Sequence, residues 1–281
     1  MADPSAADIL RFHLEAGVDE TIGESPVDRF ASAGQAASEA ATEPAPEKPP
    51  PPARRALRDA PRATAGEAPA PPNGGRVSQA VQAAWSLAAA ANSVAELKAA
   101  VESFEGCGLK KTATNTVFAD GNPEARVMFV GEAPGAEEDR QGLPFVGPSG
   151  RLLDRMLETI GYGREKFYVT NIVFWRPPGN RNPTTDEIAA CLPFVERHIE
   201  LAAPDVLVPL GGPAAKTLLG RAEGITRLRG SWHSYSTAHM SAPVDAMATF
   251  HPAYLLRSPA NKRQAWRDLL EIRQKLDGAA D

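Results

Sequence analysis

From about residue 126 the chain alternates short, continuously apolar runs with longer segments whose apolar residues recur at helical spacing. Val127, Met128, Phe129 and Val130 form the first such run and stop abruptly at Gly131, as a strand covered on both faces would. Comparable runs predict strands near 126–131, 167–173, 205–210 and 245–250. Helical spacing predicts helices near 149–161, 184–201, 212–219 and 260–277, after an alanine-rich helix at about 78–102. Two boundaries carry their own signals. Thr184 with Glu187 three residues on has the form of a capping box, and Gly220 stands where a helix must stop. Strands alternating with helices of this length predict a three-layer α/β/α sandwich around a central, four-stranded, mostly parallel sheet. No internal repeat is visible.

The N-terminal quarter is different. Residues 31 to about 75 are dominated by Ala, Pro, Glu and Ser, with the run EPAPEKPPPPARR at 43–55. Such a segment cannot bury enough apolar surface to offset its ordering entropy, so a disordered tail is expected ahead of the core. Within residues 5–16, Ile9, Leu10, Phe12 and Leu14 fall at roughly helical spacing, which suggests a short amphipathic helix that docks on the core or on a protein partner. The expected organisation is a helix-bearing tail over 1–30, a linker over 31–77 and one compact domain over 78–281, acting as a monomer.

Charge follows the same division. Residues 1–75 hold 12 acidic and 7 basic residues, a balance of −5 that equals the whole-chain value, so the remainder is neutral. The acidic tail therefore does not argue against a polyanionic partner for the core. Between 221 and 267 seven basic residues (Arg221, Arg227, Arg229, Arg257, Lys262, Arg263 and Arg267) face only Glu223 and Asp245, a candidate phosphate-binding patch or an ordinary solvated face. No apolar stretch reaches the ~18 residues that span a bilayer, and the N-terminus lacks a basic region followed by an apolar core. A soluble, cytoplasmic protein without a membrane partner is expected. Two cysteines, Cys107 and Cys191, do not make a disulfide framework.

Each predicted strand delivers polar residues at its carboxyl end, where open α/β sheets place their ligands. The first ends in Gly131 and Glu132, followed by Ala133, Pro134 and Gly135 and by Glu137, Glu138 and Asp139, with Phe145 on the next loop. The second brings Asn171 and a long loop with Arg176, Asn180 and Arg181. The third leads into Gly211 and Gly212, and the fourth into His251. Four such loops at one edge make one cleft. For any of these residues taken alone, a structural role in a surface turn or a cap is the alternative.

Together these segments resemble the uracil-DNA glycosylase superfamily, and within it the family-four, iron–sulfur enzymes of bacteria and archaea. The resemblance runs through about 104–277: GEAPGAEED at 131–139, LPFVGPSGRLLD at 143–154, YVTNIV at 168–173, RPPGNRNPT at 176–184, ITRLRGSW at 225–232 and HPAYLLR at 251–257. It implies hydrolysis of the bond between uracil and deoxyribose in DNA, leaving an abasic site for base excision repair. By that resemblance Phe145 stacks on a base flipped out of the helix, and Asn171 reads its edge in a pocket also formed by Gly131 and Ala133. His251 donates a hydrogen bond to the departing base, and a carboxylate stabilises the sugar cation or orients water. Where the best-known relatives have an aspartate for that task this chain has Ala133, so Glu132 is the first candidate and Glu138 the second. DNA contacts are expected from Arg176, Asn180, Arg181 and Arg257, from backbone amides at Gly211 and Gly212, and from Leu255 or Leu256 as a wedge between bases.

The chain also departs from that pattern. Family-four enzymes hold a [4Fe–4S] cluster on four cysteines, and the equivalent positions here are Phe104, Cys107, Trp175 and Cys191. Aromatic side chains cannot ligate iron, so the expectation is a hydrophobic plug with two free thiols, no cluster and no metal. A two-cysteine metal site completed from elsewhere is the alternative. Some relatives trap the abasic sugar on a histidine in the loop after the Asn strand. RPPGNRNPTTDE at 176–187 contains none, so a monofunctional, turnover enzyme is expected. The rival class is a DNA-binding or repair-scaffold protein that kept the pocket and lost activity.

Overall fold

The computed structural model describes residues 74–278. The helix expected at 5–16 lies outside them, as does the linker expected at 31–77, apart from its last positions, which already belong to a helix. Among the described residues the sheet has six strands: β1 (Ala119–Gly121), β2 (Val127–Gly131), β3 (Tyr168–Asn171), β4 (Val206–Pro209), β5 (Trp232–Tyr235) and β6 (Val244–Met247), in the order β1-β3-β2-β4-β6-β5. The four inner strands are parallel and are the four expected from the apolar runs. The expected strand count is corrected by β1 and β5, which pair antiparallel at the two edges. Neither has an apolar run to announce it. All of β1 is half-buried, and only Tyr235 of β5 is buried, because an edge strand is covered on fewer sides.

Alternate residues of β2 feed opposite faces. Met128 and Val130 pack in one core with Tyr168, Leu207 and Ala246, beneath α1 (Gly74–Ala90), α2 (Val94–Ser103) and the long helix at Thr185–Ala202. Val127 and Phe129 pack in the other with Val169, Val206 and Val208, beneath the helices at Pro148–Glu158 and Lys262–Gly278. This is the expected three-layer sandwich. In chain order the remaining helices are α3 (Ala136–Gln141), α4 (Pro148–Glu158), α5 (Thr185–Ala202), α6 (Gly211–Leu219), α7 (Ile225–Leu228), α8 (Pro252–Arg257) and α9 (Lys262–Gly278). The single helix expected over 78–102 is two, because Ser93 accepts a hydrogen bond from the Glu96 amide and Glu96 in return accepts one from Asn92. That reciprocal cap starts a new helix at Val94. The cap foreseen at Thr184 and Glu187 begins α5, and Gly220, at φ +61°, ends α6.

Chain direction across the sheet places the site. From β2 the chain crosses to β3 on one side, then returns to β4 on the other, so loops diverge above the β2 carboxyl end and leave a crevice there. Among the described residues no helix is long and apolar enough to cross a membrane.

Candidate active site

The register of the inner strands sets the site's floor. Gly131 pairs with Asn171 across β2 and β3, and a bridge between Leu210 and Thr249 brings Gly211 beside His251. Above these ends lies a cleft of about 590 Å³ whose walls include Glu132, Ala133, Glu138, Phe145, Asn171, Gly211, Gly212, His251 and Arg257. All four expected loops therefore meet in one hollow. Asn180 and Arg181 reach its rim, whereas Arg176 does not line it and instead donates to Asn180 Oδ1 at 2.7 Å. Arg181 forms a paired contact with Glu187 at 2.8 and 2.7 Å, so its guanidinium is already engaged.

Two glycines permit this convergence. A Cβ on Gly131 would stand 2.4 Å from Asn171 Oδ1 and 2.6 Å from Phe145 Cζ, so the amide and the ring close over the bare backbone. Gly211, at φ +87°, lets the chain turn against His251, whose Cβ would lie 2.9 Å from an added Cβ. The Gly211 amide donates to Thr249 O at 2.8 Å, and Pro213 has no N–H. The expected anion contact at this turn is thus reduced to the Gly212 amide.

Phe145 itself sits at φ +55°, a left-handed conformation that costs a bulky residue on the order of 1–3 kcal/mol. Its ring centroid is 5.7 Å from that of His251, tilted by 32°. Opposite them Asn171 is buried, and its Oδ1 has no hydrogen-bond partner among the described residues. An unpaired buried amide oxygen costs about 1–3 kcal/mol, so the site is complete only when something fills it.

His251 Nδ1 accepts from the Ala253 amide at 3.1 Å, which leaves the neutral ring's proton on Nε2. Burial, reinforced by the Arg257 charge, lowers its pKa from 6.5 to about 4. At neutral pH the ring is therefore an uncharged donor.

Of the four carboxylates in the first motif, the structure separates one. Asp139 is buried and accepts from the amides of Thr114 and Asn115. Glu137 pairs with Arg140 at 2.6 Å. Glu138 accepts from three backbone amides, those of Gly135, Val146 and Gly147, at 3.1, 3.1 and 2.8 Å. It caps α3 and ties that turn to the Phe145 loop. The Glu132 carboxylate makes no hydrogen bond or ion pair with another described residue, and burial raises its pKa above the usual carboxylate value.

The family model of the Uracil DNA glycosylase superfamily matches this chain over residues 118–270, more than half its length and every described residue that lines the cleft. The chain belongs to that superfamily. It is 38% identical over 188 residues to the Type-4 uracil-DNA glycosylase of Sulfurisphaera tokodaii, covering 65% of this chain and 84% of that protein. Against the Type-4 enzyme of Thermotoga maritima identity is 42% over 169 residues, with 58% and 82% covered. Against that of Archaeoglobus fulgidus it is 39% over 176 residues, with 61% and 87% covered.

The two leucines of the glycosylase's last motif have opposite fates. Leu255 is fully buried against Phe250 and Ala265, whereas Leu256 is 44% exposed and beside the exposed Arg257. Only Leu256 is free to meet a partner. The basic stretch is also sorted: Arg229 is locked against the buried carboxylate of Asp268 and over the Phe250 ring, while Arg221, Arg227, Arg257, Lys262, Arg263 and Arg267 are exposed.

The four positions equivalent to cluster ligands do come together in one core. Phe104 meets Phe194 edge-on at 5.1 Å, and Trp175 packs against Phe174 and donates to Thr116 Oγ1 at 3.0 Å. Cys107 and Cys191 are buried free thiols, and the neighbouring Cys107 thiol together with burial pushes the Cys191 thiol well up. These side chains do not fit a four-thiolate cluster, since two of them have no ligand atom and the ring carbons fill the space. Among the described residues no group of three or more His, Cys, Asp or Glu is placed to hold a metal ion.

Tyr254, Phe250 and Ile225 also line the cleft, and sequence reasoning did not single them out. Tyr254 was legible in hindsight, one helical turn after His251. Arg164, which donates to the Phe145 carbonyl, gives no local signal, because its partners come from three separate segments.

Proposed function

We propose that this uracil-DNA glycosylase is monofunctional: it hydrolyses the N-glycosidic bond of deoxyuridine with water, releases uracil and leaves an abasic site, as a cytoplasmic monomer without an iron–sulfur cluster. The observation that carries this reading is the unpaired, buried amide oxygen of Asn171, in one cleft with the Phe145 ring and the donor Nε2 of His251. Uracil's edge presents an N–H beside a carbonyl oxygen, which satisfies an amide's acceptor and donor together. Cytosine presents the reversed pattern and leaves them frustrated.

In this mechanism Phe145 stacks on the everted base over the bare backbone of Gly131. As the glycosidic bond lengthens, negative charge builds on the uracil carbonyl, and the neutral His251 meets it with a hydrogen bond that needs no reorganisation. Positive charge builds on the sugar, and the Glu132 carboxylate stabilises it and orients the attacking water. Glu138, with its oxygens committed to backbone amides, keeps the loops in place. Leu256 enters the gap left by the base, and the exposed arginines around it meet phosphates. The absence of histidine from 176–187 supports release of the abasic site without a covalent intermediate.

Incubating the full chain with a labelled uracil-containing oligonucleotide, then treating with alkali, tests this. Strand scission is expected, and it should be lost on Asn171→Ala or His251→Ala. No scission by the wild-type chain would favour a scaffold that kept the fold. The freshly purified protein should show no broad absorption in the blue and carry no iron.

A further inference from the structure

Three polar groups of the Phe145 loop are held from opposite sides. From one side Glu138 accepts the amides of Val146 and Gly147. From the other, Arg164 Nη2 donates to the Phe145 carbonyl at 2.8 Å and points to that of Pro144 at 3.5 Å. Arg164 lies outside the cleft, in the short turn before β3, and the rest of its guanidinium faces two carboxylates. Nε forms an ion pair with Asp120 Oδ2 at 3.1 Å and Nη1 a looser one with Asp154 Oδ1 at 3.5 Å, in which neither atom makes a hydrogen bond, while the guanidinium carbon sits 5.3 Å from the centre of the Phe167 ring. Asp120 comes from the edge strand β1, which does not line the cleft, and Asp154 from the middle of α4, which reaches the cleft only through Ser149 in its first turn.

The carbonyl that it grips belongs to the residue at φ +55°, and it points into a space where a Cβ on Gly150 would stand 1.7 Å away. Without a donor that carbonyl would be unpaired, and rotation of the peptide toward negative φ would relieve both faults. The same rotation would swing the ring away from Gly131 and His251. We infer that Arg164 is a positioning residue for base stacking: it holds Phe145 in the left-handed conformation that lays its ring along the pocket. Only a planar fork reaches two carboxylates and a carbonyl at once, so lysine cannot replace it.

This inference rests on the proposed stacking role of Phe145, and the test separates the two. Arg164→Gln and Arg164→Lys are compared with Phe145→Ala and with the double variants, under single-turnover conditions on uracil-containing duplex. Lysine keeps the charge beside Asp120 and Asp154, which guards against a variant that fails to fold. Each Arg164 variant should slow cleavage roughly tenfold or more, while affinity for abasic product DNA shifts less than about threefold. In the Phe145→Ala background, replacing Arg164 should change the rate by less than about threefold, because the ring through which it acts is gone. Wild-type speed in Arg164→Lys and Arg164→Gln, or losses that multiply with Phe145→Ala, would overturn the assignment. If the wild-type chain itself does not cleave, the functional reading fails instead. Amide hydrogen exchange over 145–150 then decides on Arg164: faster exchange in both variants upholds the clamp, and unchanged exchange removes it.

Discussion

Gly131 has no side chain, and the pocket is built in the space where one would stand. Because a Cβ there would press on both Asn171 Oδ1 and Phe145 Cζ, Gly131→Ala should leave the circular dichroism spectrum intact. The same change should lower kcat/KM for uracil excision by about 10² or more, since a displacement of about an ångström in a positioned group is enough for that. At the same scale, burial raises Glu132, while His251 is lowered to about 4 and stays an uncharged donor. In the proposed mechanism Glu132 acts as the anion. The acid limb of the pH profile of kcat/KM should therefore fall through a value above that of an ordinary glutamate, and Glu132→Gln should flatten the limb along with reducing the rate. A limb that survives this substitution would assign it to another group. Asn171, His251 and Phe145 were legible as residues because each follows an apolar run or sits in a recognisable motif. The choice between Glu132 and Glu138 was not, because it depends on backbone amides that arrive from the next loop.

At the scale of elements, α8 shows how one short helix divides two roles between neighbouring residues. Leu255 is fully buried with Phe250 and Ala265, so Leu255→Ala should cost about 2–5 kcal/mol of unfolding free energy, measured by denaturant titration. Leu256→Ala should leave stability within about 0.5 kcal/mol but slow excision from duplex more than from single strands, where no base needs displacing. Equal effects on both substrates would remove Leu256 as the wedge. The two leucines are indistinguishable in HPAYLLR, because helical phase is fixed only once Pro252 and His251 dock. Edge strands share this difficulty. β1 has no apolar alternation, yet it supplies Asp120 to the Arg164 clamp. The break before α2, by contrast, is written in Ser93 and Glu96, and the alanines on either side mask it because they favour an unbroken helix.

For the whole molecule, pH couples to stability through histidines that the fold keeps neutral. His198 is completely buried, with its ring stacked on Phe118 at 4.4 Å and Nε2 2.9 Å from the Tyr168 hydroxyl, and burial lowers its pKa to about 3. In the unfolded chain it titrates near 6.5. Above that value both states are neutral and its contribution is constant. As pH falls below 6.5 the unfolded chain gains a proton that the native chain refuses, so stability is lost until the native pKa is reached. Between pH 6.5 and pH 5 His198 alone should cost about 2 kcal/mol. His251 adds to this less fully, because it is half-buried and lines the open cleft. Denaturant titrations at pH 7, 6 and 5 should show the loss, and the difference between wild type and His198→Gln should shrink as pH falls. Residues 1–73 carry the chain's net negative charge and none of the segments that resemble the glycosylase superfamily. Their deletion should leave kcat/KM within about twofold.

The order of apolar runs and helical periods determined by itself that this chain forms a parallel-centred sandwich with its chemistry at the strand carboxyl ends, because burial on two faces demands that pattern locally. Through its resemblance to the family-four enzymes it also implied that two of the four positions matching their cluster ligands, Phe104 and Trp175, offer no atom for iron. Only the tertiary structure decided which carboxylate stands free, which leucine faces outward, that a Gly211 amide is spent on Thr249 and that Arg164 reaches Phe145. Each of these depends on hydrogen bonds and contacts between segments distant in sequence, where local pattern carries no information about partners.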